Sequence, residues 1–376
     1  MSNAINIISF DVPFPANYGG VIDVYYKLVW LKKAGIKIHL HCFTYGRPAA
    51  KELEALYEKV YYYKRETGLI SNLSFLPYTV KSRQSKELEK NLLANDFPIL
   101  FEVLHTCYLL NDERFKNRKK IYRHSNIEHD YYNELAKSER NIFKKVYLKI
   151  EAKKLKRFES IVAFANVILA VNQKDADYFK EKYPTVKTLY LPSFHANEKI
   201  TTQSGKGQFI LFHGNLSISE NYEAAHWLIA NVFSKIKFPA IIAGLNAPVF
   251  LAEEIKRHSN IELIDSPPEQ EMDTLIHEAQ IHVLYTAQPT GLKLKLLNVL
   301  FKGRFIICNN NMTEGTGLAE NNGFIIARNA NDFIQKINSV FQNEFSENQI
   351  LEREKQIVNF DNAENCKKLV EVINLS

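Results

Sequence analysis

Residues 209–243, FILFHGNLSISENYEAAHWLIANVFSKIKFPAIIA, contain two short apolar runs separated by a polar loop and an amphipathic stretch. The runs at 209–213 and 240–243 have the length and apolar character of buried strands, and the apolar spacing over 222–236 predicts a helix. A strand, a helix and a second strand in this order form the β-α-β unit of a parallel sheet.

The same alternation continues to residue 343. It predicts strands at 261–264, 282–285, 305–308 and 323–327, with helices at 247–258, 270–279, 293–301 and 331–343. Six strands and five helices in this order are typical of a doubly wound, Rossmann-like domain, in which ligands bind outside the carboxyl ends of the strands.

The N-terminal half starts with the same pattern and predicts a second α/β domain. A strand at 5–10 leads through the loop DVPFPANYGG into a helix at 21–34, which Gly35 ends, and a strand follows at 36–43. Residues 57–83 give no clear pattern. Further strands are predicted at 60–63, 99–104, 121–123, 167–171 and 188–191, with a long, charged helical region at 131–164.

The predicted fold class is therefore α/β, with two doubly wound domains. Periodicity lapses over 194–207, where Ser, Thr, Gln, Gly and Lys accumulate, and this segment is the predicted linker. The predicted domains are 1–193 and 208–361, and a helix at 362–374, within the final segment 362–376, is expected to pack on the first domain.

The composition is that of an ordinary globular protein. A length of 376 residues exceeds what one core usually holds, and 46% hydrophobic and 24% charged residues indicate folded structure throughout. No apolar run approaches the roughly 18 residues that cross a bilayer, so we predict a cytoplasmic protein. The four cysteines lack pair spacing, which indicates neither a zinc site nor disulfides.

The formal net charge of +6 is unevenly distributed, and basic residues are dense over 144–157. The favoured interpretation is a helix with solvated lysines and an apolar stripe in the core, formed by Phe143, Tyr147, Ile150 and Leu155. The alternative is peripheral contact of 144–157 with the inner face of an anionic membrane. Nucleic-acid binding is not indicated, because aromatic residues do not interleave with the basic ones in a recognisable module.

Three segments have the residue types of a ligand site, and the first is the loop DVPFPANYGG. Its contact candidates are Asn17, Gly19 and Gly20, because glycines at a helix start let backbone N–H groups approach an anion. The loop lacks the G-x-G-x-x-G pattern, so a dinucleotide site is not supported. A tight turn that needs glycine is the alternative explanation.

The second segment is the loop that follows the strand at 209–213. Gly214 permits a close approach at the carboxyl end of that strand, where a phosphate or base would lie. Asn221 is expected to cap the next helix, which would give it a structural role.

The third segment is PTGLKLKLLNVLFKGRFII, at 289–307. In a helix over 292–301, Gly291, Lys295 and Asn298 would share one face, and Lys293 would lie in the first turn. A buried ammonium group needs an anionic partner, and a diphosphate would supply one. The alternative is that both lysines reach solvent along their aliphatic stems.

Five motifs in this order resemble the retaining GT-B glycosyltransferases of bacterial polysaccharide synthesis. The motifs are P-x-N-x-G-G at 15–20, RHSNIEHDYY at 123–132, V-N-x-x-D at 171–175, HGNL at 213–216 and TGLKLKLLNVLFKGR at 290–304. The resemblance covers nearly the whole chain. It implies two facing Rossmann-like domains with a cleft between them, a nucleoside-diphosphate sugar as donor, a glycan or lipid-linked acceptor, retained configuration and no cofactor or obligatory metal.

The resemblance also implies roles for individual residues. Gly19 and Gly20 match the loop near the donor phosphates, and Gly214 with Asn215 match the loop that lines the nucleotide. Lys293 and Lys295 match the basic positions of the subgroup with a G-x-K-x-K helix. His105 matches a histidine beside the transferred sugar and is the catalytic candidate, and the acceptor-side candidates are Asn17, His124, Glu128 and His129.

The chain departs from this family at three places. Asn298 stands where relatives have a ribose-binding glutamate, Pro289-Thr290 replaces an acidic position, and Ser219-Glu220 replaces a basic one. These departures leave two alternatives to a transferase. One is a degenerate GT-B protein that binds a nucleotide or a partner without turnover, and the other is a GT-B sugar-nucleotide epimerase.

The triplet Asp175-Ala176-Asp177 has the D-x-D pattern of a metal-binding motif in another glycosyltransferase class. It follows Asn172 at a predicted helix start, where an asparagine cap and first-turn acids are favourable. We therefore assign no metal site to it.

Overall fold

The computed structural model describes residues 3–68, 71, 74–139, 141–288 and 291–374. Their contacts divide them into two compact units. The N-terminal unit contains the described residues of 1–196, 290–292 and 362–376, and the C-terminal unit contains those of 197–289 and 293–361.

The described part of the N-terminal unit contains a seven-stranded, entirely parallel sheet in the order β3-β2-β1-β4-β5-β6-β7. Its central strands are buried along their whole length, as expected for a parallel sheet covered on both faces. The strands are β1 (Ala4–Ser9), β2 (Lys37–Thr44), β3 (Lys59–Lys64), β4 (Ile99–Glu102), β5 (Lys120–Arg123), β6 (Val167–Ala170) and β7 (Lys187–Tyr190).

The helices of this unit include one from the end of the chain. They are α1 (Gly19–Lys33), α2 (Lys51–Leu56), α3 (Tyr78–Lys81), α4 (Lys86–Leu93), α5 (Glu128–Ser138), α6 (Ile142–Phe158), α7 (Gln173–Lys182) and α15 (Asn362–Asn374). Leu369 and Val372 of α15 share a hydrophobic core with Val24 and Leu28 of α1. The final helix therefore completes the core of the N-terminal unit.

A buried network of charged groups links α1 to the sheet. Lys27 Nζ lies 3.2 Å from Asp23 Oδ2 and 2.7 Å from Glu102 Oε1. Arg123 donates to both oxygens of Asp23 at 3.1 Å and to the backbone oxygen of Pro192 at 3.0 Å. Two acids and two bases balance, so the buried charges are mutually compensated.

The C-terminal unit has a six-stranded parallel sheet over its described residues, in the order β10-β9-β8-β11-β12-β13. The strands are β8 (Ile210–His213), β9 (Ala240–Gly244), β10 (Ile261–Asp265), β11 (Ile281–Leu284), β12 (Phe305–Asn309) and β13 (Phe324–Ala327). The helices are α8 (Ser219–Asn231), α9 (Val249–Ile255), α10 (Glu269–Glu278), α11 (Leu294–Lys302), α12 (Asn310–Thr313), α13 (Ala330–Val340) and α14 (Glu347–Gln356).

The direction of strand order reverses once in each sheet, between β1 and β4 and between β8 and β11. In doubly wound sheets, ligands bind at such a switch point, beside the carboxyl ends of the strands. The loops after these four strands are therefore where the fold favours a site.

All thirteen predicted strands are present, with ends shifted by up to two residues, so the predicted fold class is confirmed. The predicted helical region at 131–164 is instead two helices, α5 and α6, followed by the 3-10 helix Glu159–Phe164. Five helices of the described chain were not predicted: α2, α3, α4, the short helix α12 and the polar helix α14. Helix α8 begins at Ser219 with Ile218 as its N-cap, so Asn221 lies in the first turn and the predicted cap was wrong.

The favoured interpretation of the basic helix was also wrong. Phe143, Tyr147 and Ile150 of α6 are exposed, and of the predicted stripe only Leu155 is buried. The stripe was assigned to the core because its spacing is helical, but spacing alone does not show which face of a helix meets the core. Within the described ranges, no helix is both long and apolar enough to cross a membrane.

Candidate functional site

In the C-terminal unit, polar side chains meet beside the carboxyl ends of β8 and β11. Thr286 is the second residue after β11 and is fully buried. Its hydroxyl donates to Glu220 Oε1 at 2.6 Å, and Glu220 lies in the first turn of α8, which follows β8. This hydrogen bond therefore joins the segments that follow the two strands flanking the switch point.

Lys293 is bound to the same carboxylate. It is the N-cap of α11, with φ −85° and ψ 103°, so it precedes the helix and does not lie in the first turn as predicted. Its Nζ lies 3.0 Å from Glu220 Oε1, and 13% of its side chain is exposed. Burial would raise the pKa of Glu220, but Lys293 and the Thr286 hydroxyl hold it below its usual range.

Lys295, in the first turn of α11, has no carboxylate partner among the described residues within ion-pair distance. Its Nζ donates to Asn221 Oδ1 at 3.0 Å and lies 5.3 Å from the centre of the Phe212 ring. Burial lowers the pKa of Lys295 to about 8, against the opposing charge of Glu220. The group therefore remains mainly an ammonium at pH 7.

Gly214 and Asn215 lie next to these groups. Asn221 Nδ2 donates to the backbone oxygen of Asn215 at 2.9 Å, and a Cβ added to Gly214 would lie 3.1 Å from the side chain of Asn221. Gly214 also faces Gly244 so closely that a Cβ there would lie 1.7 Å from the Gly214 oxygen. Close backbone packing therefore explains the glycine at 244 without a ligand, and Gly214 packs against the side chain of Asn221.

Two histidines, His213 in β8 and His282 in β11, are buried next to each other. His213 ends β8, and within the described part of the chain neither of its ring nitrogens has a hydrogen-bond partner. Burial lowers the pKa of His213 to about 3, with Lys295 acting in the same direction, so the imidazole is neutral. It meets the ring of His282 edge to face at 6.4 Å between centroids.

The remaining donor-side candidates lie around the start of α11. Gly291 has φ +69°, a left-handed conformation that favours glycine. Asn298 is partly buried, one turn after Lys295. Pro289 and Thr290 lie outside the described residues. The structure thus brings Gly214, Asn215, Lys293 and Lys295 together through Glu220 and Asn221.

Three residues of this site have no predicted role: Glu220, Thr286 and His213. Glu220 was noted only as a departure from the family pattern, although its position in the first turn after β8 was a usable signal. Thr286 and His213 lie at or just after the ends of predicted strands, which is where doubly wound folds place ligand contacts.

In the N-terminal unit, a hydrogen-bonded loop precedes Gly19 and Gly20, the first two residues of α1. Asp11 accepts a hydrogen bond from the Tyr18 hydroxyl at 2.7 Å. Tyr18 is the N-cap and makes no side-chain cap hydrogen bond. A Cβ on Gly20 would lie 2.7 Å from the tip of the Phe10 ring, so packing against Phe10 favours a glycine at this position.

Two arginines hold the same loop. Arg47 Nη1 donates to Asn17 Oδ1 at 2.8 Å, and its Nε donates to the backbone oxygen of Val12 at 2.9 Å. Arg83 donates twice to the backbone oxygen of Phe10, and burial lowers its pKa to about 9. The predicted contact residue Asn17 is therefore already bound by Arg47, which the sequence analysis did not identify.

His105 lies after β4, in the 3-10 helix Leu104–Leu109. Its Nε2 is 3.2 Å from Glu128 Oε2, at the start of α5. Val103, two residues before His105, has φ +57° and ψ 163°, a conformation that is strained for a β-branched residue. Such outliers concentrate at functional sites, which supports His105 and Glu128 as candidates.

The other two acceptor-side candidates contact groups of their own unit. His124 is fully buried, 3.7 Å from Asp175 Oδ2 and edge to face with Phe179, and burial lowers its pKa. His129 Nδ1 lies 3.2 Å from Glu159 Oε2. These contacts indicate structural roles, and they do not place either histidine with His105.

The D-x-D triplet is part of a helix start. Asn172 is the N-cap of α7, and its Oδ1 accepts from the backbone N–H of Asp175 at 2.7 Å. Asp175 in turn accepts from Asn172 Nδ2 at 2.7 Å. The predicted capping role of Asn172 is confirmed.

No family model matches the chain. It is 29% identical over 346 residues to an uncharacterized 44.6 kDa protein in the cps region of Klebsiella pneumoniae, covering 86% of this chain and 87% of that protein.

Solved glycosyltransferase structures match the whole chain. A TarM variant from S. aureus, in complex with fondaparinux, alpha-GlcNAc-glycerol and UDP, matches with a TM-score of 0.67 and 11% identity over 99% of this chain and all of that one. Anabaena HepE, in complex with UDP and glucose, matches with a TM-score of 0.67 and 12% identity over 99% of both chains. Sucrose-phosphate synthase from Thermosynechococcus elongatus matches with a TM-score of 0.67 and 12% identity over 98% of both.

Two doubly wound, parallel-sheet units that follow each other along one chain are the architecture of the GT-B fold. The chain has the GT-B glycosyltransferase fold, as its sequence motifs predicted.

Proposed function

We propose that this protein is a glycosyltransferase that transfers a sugar from a nucleoside-diphosphate sugar to a glycan or lipid-linked acceptor, with retention of configuration. The observation that carries the proposal is Lys295, a largely desolvated ammonium group beside the end of β8, which has no carboxylate partner among the residues that the structure describes. A nucleoside-diphosphate sugar would bring its diphosphate to this ammonium group. UDP in the TarM and HepE crystals supports this donor class.

In the proposed mechanism, Lys295 and Lys293 stabilise negative charge as it develops on the diphosphate leaving group. Lys293 would first exchange the Glu220 carboxylate for a phosphate oxygen. The mechanism needs no metal, because the two ammonium groups supply the positive charge. The acceptor oxygen would bond to the anomeric carbon on the face from which the diphosphate departs, as the bond from that carbon to the phosphate oxygen breaks, and the hydroxyl proton would pass to the departing phosphate oxygen. His105 would be the catalytic group beside the sugar.

Calorimetry with UDP, followed by transfer assays with a panel of nucleotide sugars, tests this function. We expect Lys293→Ala and Lys295→Ala each to weaken UDP binding by about 10- to 100-fold, because each removes a charge-assisted contact. Lys235→Ala, at an exposed position of the same unit, is the matched control. Unchanged UDP affinity in both site variants would remove the proposed role.

A second candidate is a GT-B protein that binds a nucleotide without turnover. One reason is Asn298, which lacks the carboxylate that the family resemblance implies for ribose binding. The other is Glu220, whose carboxylate already forms an ion pair with Lys293. UDP binding without transfer to any acceptor would support it. Conversion of a donor with no acceptor present would instead indicate an epimerase.

A further inference from the structure

Helix α6 carries an apolar stripe on its solvent face. Residues spaced by three, four or eight positions share one face of a helix, and five large hydrophobic residues in the first half of α6 follow this spacing. Their exposed fractions are 73% for Ile142, 86% for Phe143, 50% for Val146, 39% for Tyr147 and 48% for Ile150. Such a contiguous exposed stripe marks an interaction surface.

The orientation of α6 is fixed by its other face. Ala152 and Leu155 are buried, and the carboxylate of Glu151 accepts from the backbone N–H of Tyr78 at 2.7 Å. These contacts hold the helix against the N-terminal unit. The exposed stripe is therefore a stable part of the surface and not a core face that was left unpacked.

The same helix carries the net charge of the protein. It contains seven basic residues and one acidic residue, Glu151, which is buried, so its formal charge is +6. The whole chain also has a formal charge of +6, so the rest of the sequence is neutral. The outward face continues past Ile150 with Lys153 and Arg157, and Lys149 lies next to Ile150; all three basic residues are exposed.

Apolar and basic groups continue beside the C-terminal end of α6. A cavity of about 410 Å³ is lined there by Phe75, Phe164, Lys154 and Arg157, among others. Phe75 is 99% exposed and Phe164 is 54% exposed. Aromatic side chains are thus presented to solvent next to the basic half of the helix.

We propose that the outward face of α6, extended by Phe75 and Phe164, binds the surface of an anionic lipid membrane. An interfacial helix buries its apolar residues at the boundary between headgroups and acyl chains, while its lysines meet lipid phosphates. A second copy of the chain does not fit this surface, because two-fold pairing would bring the two +6 helices together. Lipid binding can be measured whether or not the donor site binds a nucleotide, so the two proposals are tested separately.

The test is cosedimentation of the full chain with vesicles of phosphatidylcholine, alone or with about a third phosphatidylglycerol. We expect at least about tenfold tighter binding to the anionic vesicles, and weaker binding in high salt. Equal binding to both vesicle types, or no binding to either, would overturn the proposal.

Variants locate the surface. The double variant Phe143→Ser/Ile150→Ser should weaken vesicle binding by at least about tenfold, because apolar burial is lost. The double variant Lys149→Glu/Lys153→Glu should weaken it by more than about tenfold, because attraction to the anionic lipids is lost. Matched controls are Val249→Ser, 74% exposed on α9, and Lys235→Glu, both of which should bind as the unmodified chain does.

Melting temperatures and UDP affinity should be unchanged in all these variants, which separates this inference from the proposed function. Anionic-vesicle binding that is equally strong in the α6 variants would overturn the proposal. Self-association that depends on α6 in sedimentation velocity, without lipid binding, would also overturn it and assign the stripe to a second copy.

Discussion

The ammonium of Lys293 and the carboxylate of Glu220 form a 3.0 Å ion pair at the start of α11, between residues 73 positions apart in the chain. Both side chains are largely shielded from water, with 13% and 24% exposed. The cation that would receive a donor phosphate is therefore already neutralised by the protein. Donor and Glu220 would compete for it.

Replacing Glu220 should strengthen nucleotide binding. In Glu220→Gln the amide keeps the Thr286 hydrogen bond but loses the charge, so we expect the Kd for UDP to fall by about 3- to 10-fold. Calorimetry at low ionic strength measures this, and Glu223→Gln, at an exposed position on the same helix, is the control. A rise in Kd would show instead that Glu220 positions Lys293 for the phosphate.

The affinity for UDP should depend on pH through Lys295. Burial lowers the pKa of this ammonium to about 8, so it is charged at pH 7 and mostly neutral at pH 9. The phosphates of UDP are already ionised above pH 7, so affinity should fall by up to about tenfold per pH unit above 8. In Lys295→Arg the guanidinium stays charged and this slope should disappear. A slope that persists in the arginine variant would assign the titration to another group.

Asn298 offers a test of the departure from the family pattern. If it faces the donor ribose, Asn298→Glu should restore a charge-assisted hydrogen bond and lower the Kd for UDP by about 3- to 10-fold. Asn298→Gln has the same length without the charge and should not gain affinity. Calorimetry that shows no difference between the glutamate and glutamine variants would mean that residue 298 does not contact the nucleotide.

Loss of Asp23 should strongly destabilise the N-terminal unit. Asp23→Ala leaves the buried ammonium of Lys27 and guanidinium of Arg123 undercompensated, and we expect a loss of about 3–5 kcal/mol in the free energy of unfolding. The control is Asp177→Ala, which breaks an exposed pair with Lys180 and should cost less than about 1 kcal/mol. Denaturant unfolding measures the free energy of unfolding of both variants. Similar losses in the two would show that the buried charges around Asp23 do not stabilise the N-terminal unit.

The strands were predictable because their signal is local. β8 and β11 are short runs that are apolar except for one histidine each, and such near-continuous apolar runs are typical of a parallel strand buried on both faces. Helix α14 was missed because its buried residue is a charged one. The guanidinium of Arg353 donates to the backbone oxygens of Gly303, Arg304 and Gly323, and no periodicity of apolar residues indicates such a contact.

The candidate site was predictable only in part. The sequence indicated Lys293 and Lys295 because lysines are unusual in an apolar helix. It did not indicate their partners, since Glu220 and Asn221 lie on a helix more than 70 positions away. The exposed face of α6 was misjudged for a related reason, because the side of an amphipathic helix that meets the core depends on elements distant in sequence.

The place of α15 affects how the protein is made. Leu369 and Val372 complete the same core as Val24 and Leu28, yet they are synthesised after every strand of the second sheet. Part of the core of the N-terminal unit is therefore missing until the last residues of the chain have been made. The α1 surface that α15 covers stays uncovered while the whole C-terminal unit is being translated.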